Sequence, residues 1–123
     1  MNEQSISAIA AHGMEYERSR LELAALKISL ANVTFSSLLE ANSFAKSLNV
    51  GKEELVQDGA LEVKSVMDQK NPKANAEGYV YRFSIDPTHE MASLVSATRA
   101  YEANVRAYNT NSQMNKAALE IGK

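Results

Sequence analysis

Apolar residues recur at helical spacing at both ends of this chain and lose that period in between. From Ser5 to Val33 no proline interrupts the pattern. Ile9, Tyr16, Leu23 and Leu30 return every seven residues, and Met14, Leu21 and Ile28 do so on a neighbouring stripe. Such recurrence keeps a seam on one side of a helix and favours coiled-coil packing. Glu17, Arg20 and Lys27 interrupt the apolar arc. Gly13 also lies inside it, where glycine costs about 1 kcal/mol of helix propensity relative to alanine. That cost is tolerable where another backbone approaches closely.

A second, longer helix is predicted over 87–121. In Asp86-Pro87 the aspartate can cap the first free N–H groups and the proline suits the first turn, while Gly122 supplies a stop. Met91, Thr98, Val105, Ser112 and Leu119 fall on one set of heptad positions; Leu94, Tyr101, Tyr108 and Asn115 fall on the other. At 1.5 Å per residue this helix is roughly 50 Å long. A further seam of Ala97, Ala100, Asn104, Ala107, Asn111, Met114, Ala118 and Ile121 runs along it at spacings of three and four. Its small residues allow another helix to come near, and its asparagines need hydrogen-bond partners if buried, where such residues fix register. One N-terminal helix folding back covers one seam. The simplest occupant of the remaining face is another subunit; the plainer alternative is that this face meets solvent, alanine being simply a good helix former.

Between the helices, Thr34 to Asp86 has a different character. Phe35 to Gln57 has no sustained period, and Asn49-Val50-Gly51 and Asp58-Gly59 mark turns. Leu61 to Met67 partly alternates, and Tyr79, Tyr81, Phe83 and Ile85 share one face of the run after Gly78. These two runs predict short strands, a hairpin joined by the stretch from Asn71 to Glu77. A lone hairpin is marginal in water and needs something to pack on. The expected fold is mainly α, with two long terminal helices in an antiparallel coiled-coil hairpin, a short β-hairpin and an irregular middle segment. The expected organisation is one domain over 1–123, divided into an N-terminal helix (5–33), a variable middle segment (34–86) and a C-terminal helix (87–121).

Composition narrows the chemistry. Thirteen Lys and Arg face fifteen Asp and Glu for a net charge of -2, which implies no basic face for nucleic acid. Aromatic residues make up 7% of the chain and tryptophan is absent, which argues against a deep aromatic core. The absence of cysteine excludes disulfides and thiolate metal sites. The first residues carry neither a basic region nor an apolar core of a Sec signal peptide, and no apolar run reaches membrane-spanning length, so any export is expected to be signal-independent.

His12 and His89 lie in different predicted helices, without a second ligand at metal spacing, and His89-Glu90 lacks the second histidine of a zinc protease helix. Glu53-Glu54 beside Lys52 reads as a solvated charged patch, and Glu102 with Arg106 as an ordinary i, i+4 pair. No phosphate loop or nucleophile elbow is present. No enzyme activity, metal or cofactor is expected.

Several motifs in the last fifty residues carry a specific resemblance. Asn71-Pro72-Lys73-Ala74-Asn75-Ala76-Glu77-Gly78-Tyr79-Val80, then Ile85-Asp86-Pro87-Thr88-His89-Glu90-Met91, then Ala97-Thr98-Arg99-Ala100-Tyr101-Glu102-Ala103-Asn104-Val105 follow one another without an obvious gap. Asn109-Thr110 and the run from Ala117 to Lys123 continue the pattern. Together they resemble the FlgC-type proximal rod proteins of the bacterial flagellar basal body. Leu30-Ala31-Asn32-Val33-Thr34 is similar to the end of that family's first helix, with Ser29 where asparagine is usual, while Phe35 to Asp68 shows no match.

The resemblance implies a structural subunit exported by the flagellar type III apparatus without a cleaved signal peptide. It would pack by its terminal helices, with copies of itself and other rod subunits, into a periplasm-spanning helical tube that transmits torque from motor to hook. Within that picture Met91, Leu94, Tyr101, Val105 and Tyr108 are expected to pack on the N-terminal helix at Tyr16, Leu23 and Leu30. Arg99, Asn104, Asn111, Met114 and Ala118 are expected at contacts between subunits. The alternatives are a cytoplasmic coiled-coil adaptor or secretion chaperone, and a rod-like paralogue of a related type III secretion system.

Overall fold

A computed structural model describes residues 3–48 and 52–122, so the turn expected at Asn49-Val50-Gly51 lies outside the described residues. The elements in chain order are α1 (Glu3–Ala31), α2 (Leu38–Ser47), α3 (Lys52–Gln57), β1 (Val63–Met67), β2 (Tyr79–Phe83) and α4 (Pro87–Ile121). The fold is mainly α, as the periodicity predicts. The residues form two compact units: Met1–Glu22 with Ala92–Lys123, and Leu23–Met91.

In the second unit β1 and β2 pair antiparallel, Val63 opposite Phe83 and Met67 opposite Tyr79. Phe35 extends the other edge of β2: its N–H donates to the Tyr81 carbonyl at 2.8 Å, and its carbonyl accepts from the Tyr81 N–H at 2.9 Å. The β-branched and aromatic residues of β2 suit a pleated, covered strand. Phe83 and Ile85 enter the core, Val80 is fully buried on the other face, and Tyr79 remains exposed.

The core gathers Leu30 and Ala31 from α1, Phe35, Ala41 from α2, Leu55 from α3, Ala60, Phe83 and Ile85. At its centre stand three phenylalanines. Phe35 lies 5.4 Å from Phe83 in an edge-to-face arrangement, and Phe44 lies 5.3 and 6.1 Å from them. Tilted and edge-on pairs at this spacing add roughly 0.5–1.5 kcal/mol each beyond area burial. The expectation of no aromatic core is therefore wrong. The chain holds only 3 phenylalanines, but all three meet at one point.

The aperiodic stretch after Phe35, expected to be irregular, holds two short helices. Helix α2 starts because the Ser37 hydroxyl accepts from the Glu40 N–H at 3.1 Å while the Glu40 carboxylate accepts from the Ser36 N–H at 3.2 Å. This is the reciprocal logic of a capping box. Helix α3 ends in a Schellman motif. The Ala60 N–H donates to the Leu55 carbonyl at 2.9 Å, and the Gly59 N–H to the Val56 carbonyl at 3.1 Å. Gly59 takes the left-handed conformation at φ 72° that this motif requires, and Leu55 and Ala60 are buried in the same cluster.

The β1–β2 loop owes its shape to its asparagines. Asn75 Oδ1 accepts from the backbone N–H of Glu77 and of Tyr79, each at 3.0 Å, and Asn71 Oδ1 accepts from that of Lys73 at 2.9 Å. Lys73 Nζ then donates to the Thr34 carbonyl, 3.2 Å away, and ties the loop to the end of α1. These Asx turns are the physical content of the Asn-Pro-Lys-Ala-Asn signature. Helix α4 begins as expected: Asp86 Oδ1 accepts from the Thr88 N–H at 3.0 Å.

Candidate assembly surface

The first unit pairs the N-terminal part of α1 with most of α4, and the two segments run antiparallel. Asn111 Nδ2 donates to Ser7 Oγ at 2.6 Å, while Asn104 sits against Gly13, six residues further along α1. A Cβ on Gly13 would come within 2.7 Å of the Asn104 amide. The inward stripe of α4 holds Leu94, Ala97, Tyr101, Asn104 and Asn111, with Tyr108 at the margin and Asn115 partly covered. They recur at spacings of four and three. Ser7, Ala10, Met14, Glu17 and Leu21 do the same on α1. Buried Glu17 is met by Arg20 at 2.7 Å, whose guanidinium stands over the Tyr16 ring.

This stripe redraws the residue assignments. Asn104 and Asn111, expected between subunits, face inward; Asn111 is only 7% exposed. A short polar residue at a close helix crossing finds its partner within the hairpin. Tyr16, expected to pack on the C-terminal helix, is 65% exposed, and Met91 is exposed as well. Their positions lie off the stripe that the small residues allow to approach closely. Leu23 and Leu30 join the phenylalanine cluster of the second unit. Leu94, Tyr101 and Val105 are partly covered, whereas Arg99, Met114 and Ala118 are exposed.

A second stripe on α4 stays exposed. Ala103, Ala107, Thr110, Met114, Ala117 and Ile121 also recur at spacings of four and three. At 100° per residue this face lies roughly 130° around the helix from the inward stripe. Ile9 and Tyr16 form an exposed apolar pair, seven residues apart, on α1. Met114 and Ile121 are 65% and 85% exposed. Apolar side chains so placed on a heptad are positioned to receive a further helix.

Chemistry-bearing groups also meet in the second unit. Lys27 on α1, with 10% of its side chain exposed, makes an ion pair with Asp58, the residue that caps α3, and lies 3.5 Å from Glu90 in the first turn of α4. With His89 and Asp86 they line a hollow of about 290 Å³. An ammonium between two carboxylates is a structural pairing. Among the described residues no group of three or more acidic or histidine side chains could hold a metal ion, and no helix is long and apolar enough to cross a membrane.

The comparisons with known proteins bear on this helical architecture. Residues 76–121, covering β2 and α4, match the family described as flagellar basal body rod FlgEFG protein C-terminal. The flagellar basal-body rod protein FlgC of Bacillus subtilis strain 168 is 38% identical over 108 residues, which is 88% of this chain and 70% of that protein. The chain belongs to the FlgC family of flagellar basal-body rod proteins. Its role is that of a structural subunit of the rod. FlgC of Yersinia enterocolitica is 40% identical over 58 residues, and that of Escherichia coli O157:H7 is 40% identical over 60. Those matches span 43% and 45% of the two proteins. The longer match reaches beyond the terminal helices, so the middle segment is not foreign to the family as the motifs alone suggest.

The residues that sequence reasoning missed each left a trace. Ser37 followed three residues later by Glu40 is a helix-start signature ahead of two leucines. Gly13 in a helix implied the close approach of another backbone, whereas it is the Asn104 side chain that comes against it. Lys27 within an apolar arc implied a buried counter-charge, but nothing local named Asp58 or Glu90.

Proposed function

We propose that this rod subunit assembles through the exposed stripes of α1 and α4. Ala103, Ala107, Met114 and Ile121, flanked by Arg99 and Ala118, would pack against helices of neighbouring subunits, copies of this chain or other rod proteins. The result is the helical tube that carries torque from motor to hook. Open-ended tubes arise from heterologous contacts that do not close on themselves, and a helix with two packing faces supplies such contacts. The observation that carries this reading is the second, exposed heptad on α4. The role is structural and non-catalytic, in keeping with the family. Export through the flagellar type III apparatus, without a cleaved signal peptide, is part of the same proposal.

The test is made in the cell. Deletion of the gene should abolish swimming and leave basal bodies stopped before a complete rod, with the wild-type gene restoring both. Alleles carrying Ala107→Glu or Met114→Glu should fail to restore them although the purified protein keeps its helicity. Full swimming with intact rods in those alleles would remove the proposed interface. Retention of the protein in the cytoplasm, bound to a client, would favour an adaptor or chaperone.

A further inference from the structure

A seam of small residues repeating every seven positions leaves an ambiguity. Sliding one helix past the other by a heptad sets stripe positions against stripe positions again, Leu94, Tyr101 and Tyr108 taking one another's places on α4. Ala10 and Ala97, two of the most buried residues of the first unit, offer little resistance to such a slide. Two polar contacts break the degeneracy. Asn104 fills the notch over Gly13, the only glycine within α1, and Asn111 donates to Ser7 at 2.6 Å from a position that is 7% exposed.

After a one-heptad slide these amides would no longer meet glycine and serine. In one direction Asn111 would face the neighbourhood of Met14 and Asn104 that of Arg20 and Leu21. In the other, Asn104 would face the neighbourhood of Ile6 and Ser7, and Asn111 would be carried off Ser7. Neither slide keeps Asn111 on Ser7, Met14 offers only a weak acceptor, and a buried amide that loses its partner costs more than a hydrogen bond contributes net. The notch over Gly13 would also stand empty.

We propose that Gly13–Asn104 and Ser7–Asn111 form a register lock for the helix hairpin. The asparagines are kept at seam positions, in place of apolar residues, because they admit one axial alignment of α1 on α4. That alignment decides which residues of the two outer faces stand side by side, and therefore which surface the hairpin offers.

The chain has no cysteine, so an introduced pair reports alignment without background in the full-length protein. Ala10→Cys with Tyr108→Cys joins the helices in the observed register. Ala10→Cys with Tyr101→Cys or with Asn115→Cys joins them one heptad away. Equilibrated in a glutathione buffer, the first pair should show an effective concentration at least ~10-fold above the others, and Asn104→Leu with Asn111→Leu should cut that preference to below ~3-fold.

An unchanged preference in the leucine variant, or no preference with the natural seam, overturns the lock. Loss of all three cross-links together with helicity in the leucine variant also overturns it, because the asparagines would then supply stability and not register. Gly13→Ala should lower the observed-register cross-link several-fold, and Asn104→Ala in the same chain should restore it by removing the clash. Absence of either change overturns the notch.

Discussion

The two compact units use the same helices in opposite ways. In the second, the end of α1 joins a core in which Phe35, Phe44 and Phe83 meet and Leu55 is fully buried, and the first turn of α4 meets α1 through Glu90 and Lys27. In the first, the same two helices come closest at alanine, glycine, serine and asparagine, with Met14, Leu21, Leu94 and Tyr101 only partly covered. Large apolar side chains give a unit its own stability. Small and polar ones let backbones come close and specify alignment, but bury little apolar area. Several larger apolar residues of the first unit, Ile9, Met114 and Ile121 among them, are instead exposed. On the assembly proposed above, one unit stands by itself and the other is completed by neighbours.

The contrast breaks most visibly at Phe83, which has no exposed surface. Phe83→Ala should destabilise the second unit by about 3–5 kcal/mol, the usual loss for a buried phenylalanine. Hydrogen exchange should show the β1–β2 amides losing protection; retained protection would mean the aromatic cluster is not the keystone. Next comes Lys27→Met, which leaves Glu90 nearly buried without its counter-charge. Removing one partner of a buried pair typically costs 3–5 kcal/mol, and half-exposed Asp58 places this case near the low end, about 3 kcal/mol. Adding Glu90→Leu should recover much of it in denaturant melts, and no recovery would show that the pairing is not the cause.

In the first unit the expected sign reverses for added bulk. Ala97→Leu places a larger side chain at a fully buried seam position and should cost about 1–3 kcal/mol by overpacking, read as a loss of helicity by circular dichroism. A gain in stability would mean that the seam is underfilled, not close-set. The smallest effect is expected at Asp86→Ala, which removes the cap of α4 and should cost about 1 kcal/mol. Its loss of amide protection should be confined to the first turns of the helix. Fraying that spreads along α4 would mean the small-residue seam cannot hold the helix by itself.

Much of this architecture was legible in the sequence. Asp86-Pro87 and Gly122 bracket α4 because capping is a local matter of backbone groups and adjacent side chains. The alternation in Tyr79–Phe83 marks β2 for an equally local reason. Helix α2 escaped because its ten residues are too few for a period to emerge, although its cap was written in Ser37 and Glu40. The assembly surface was half legible. The second seam on α4 was read as one stripe, whereas Ala97, Asn104 and Asn111 turn inward and Ala107, Met114 and Ile121 stay exposed.

By itself, then, the sequence determined the two terminal helices and the two strands, the ends of α4, the existence of more than one packing face, and membership in the rod family through its loop and helix motifs. Tertiary structure alone decided which heptad faces inward, since stripes of similar composition differ only in how closely they let a partner helix approach. It also decided that three scattered phenylalanines form one core, and that Lys27 meets a residue 31 positions later. Pairings of that kind depend on where distant backbones are carried, and no window of neighbouring residues contains them.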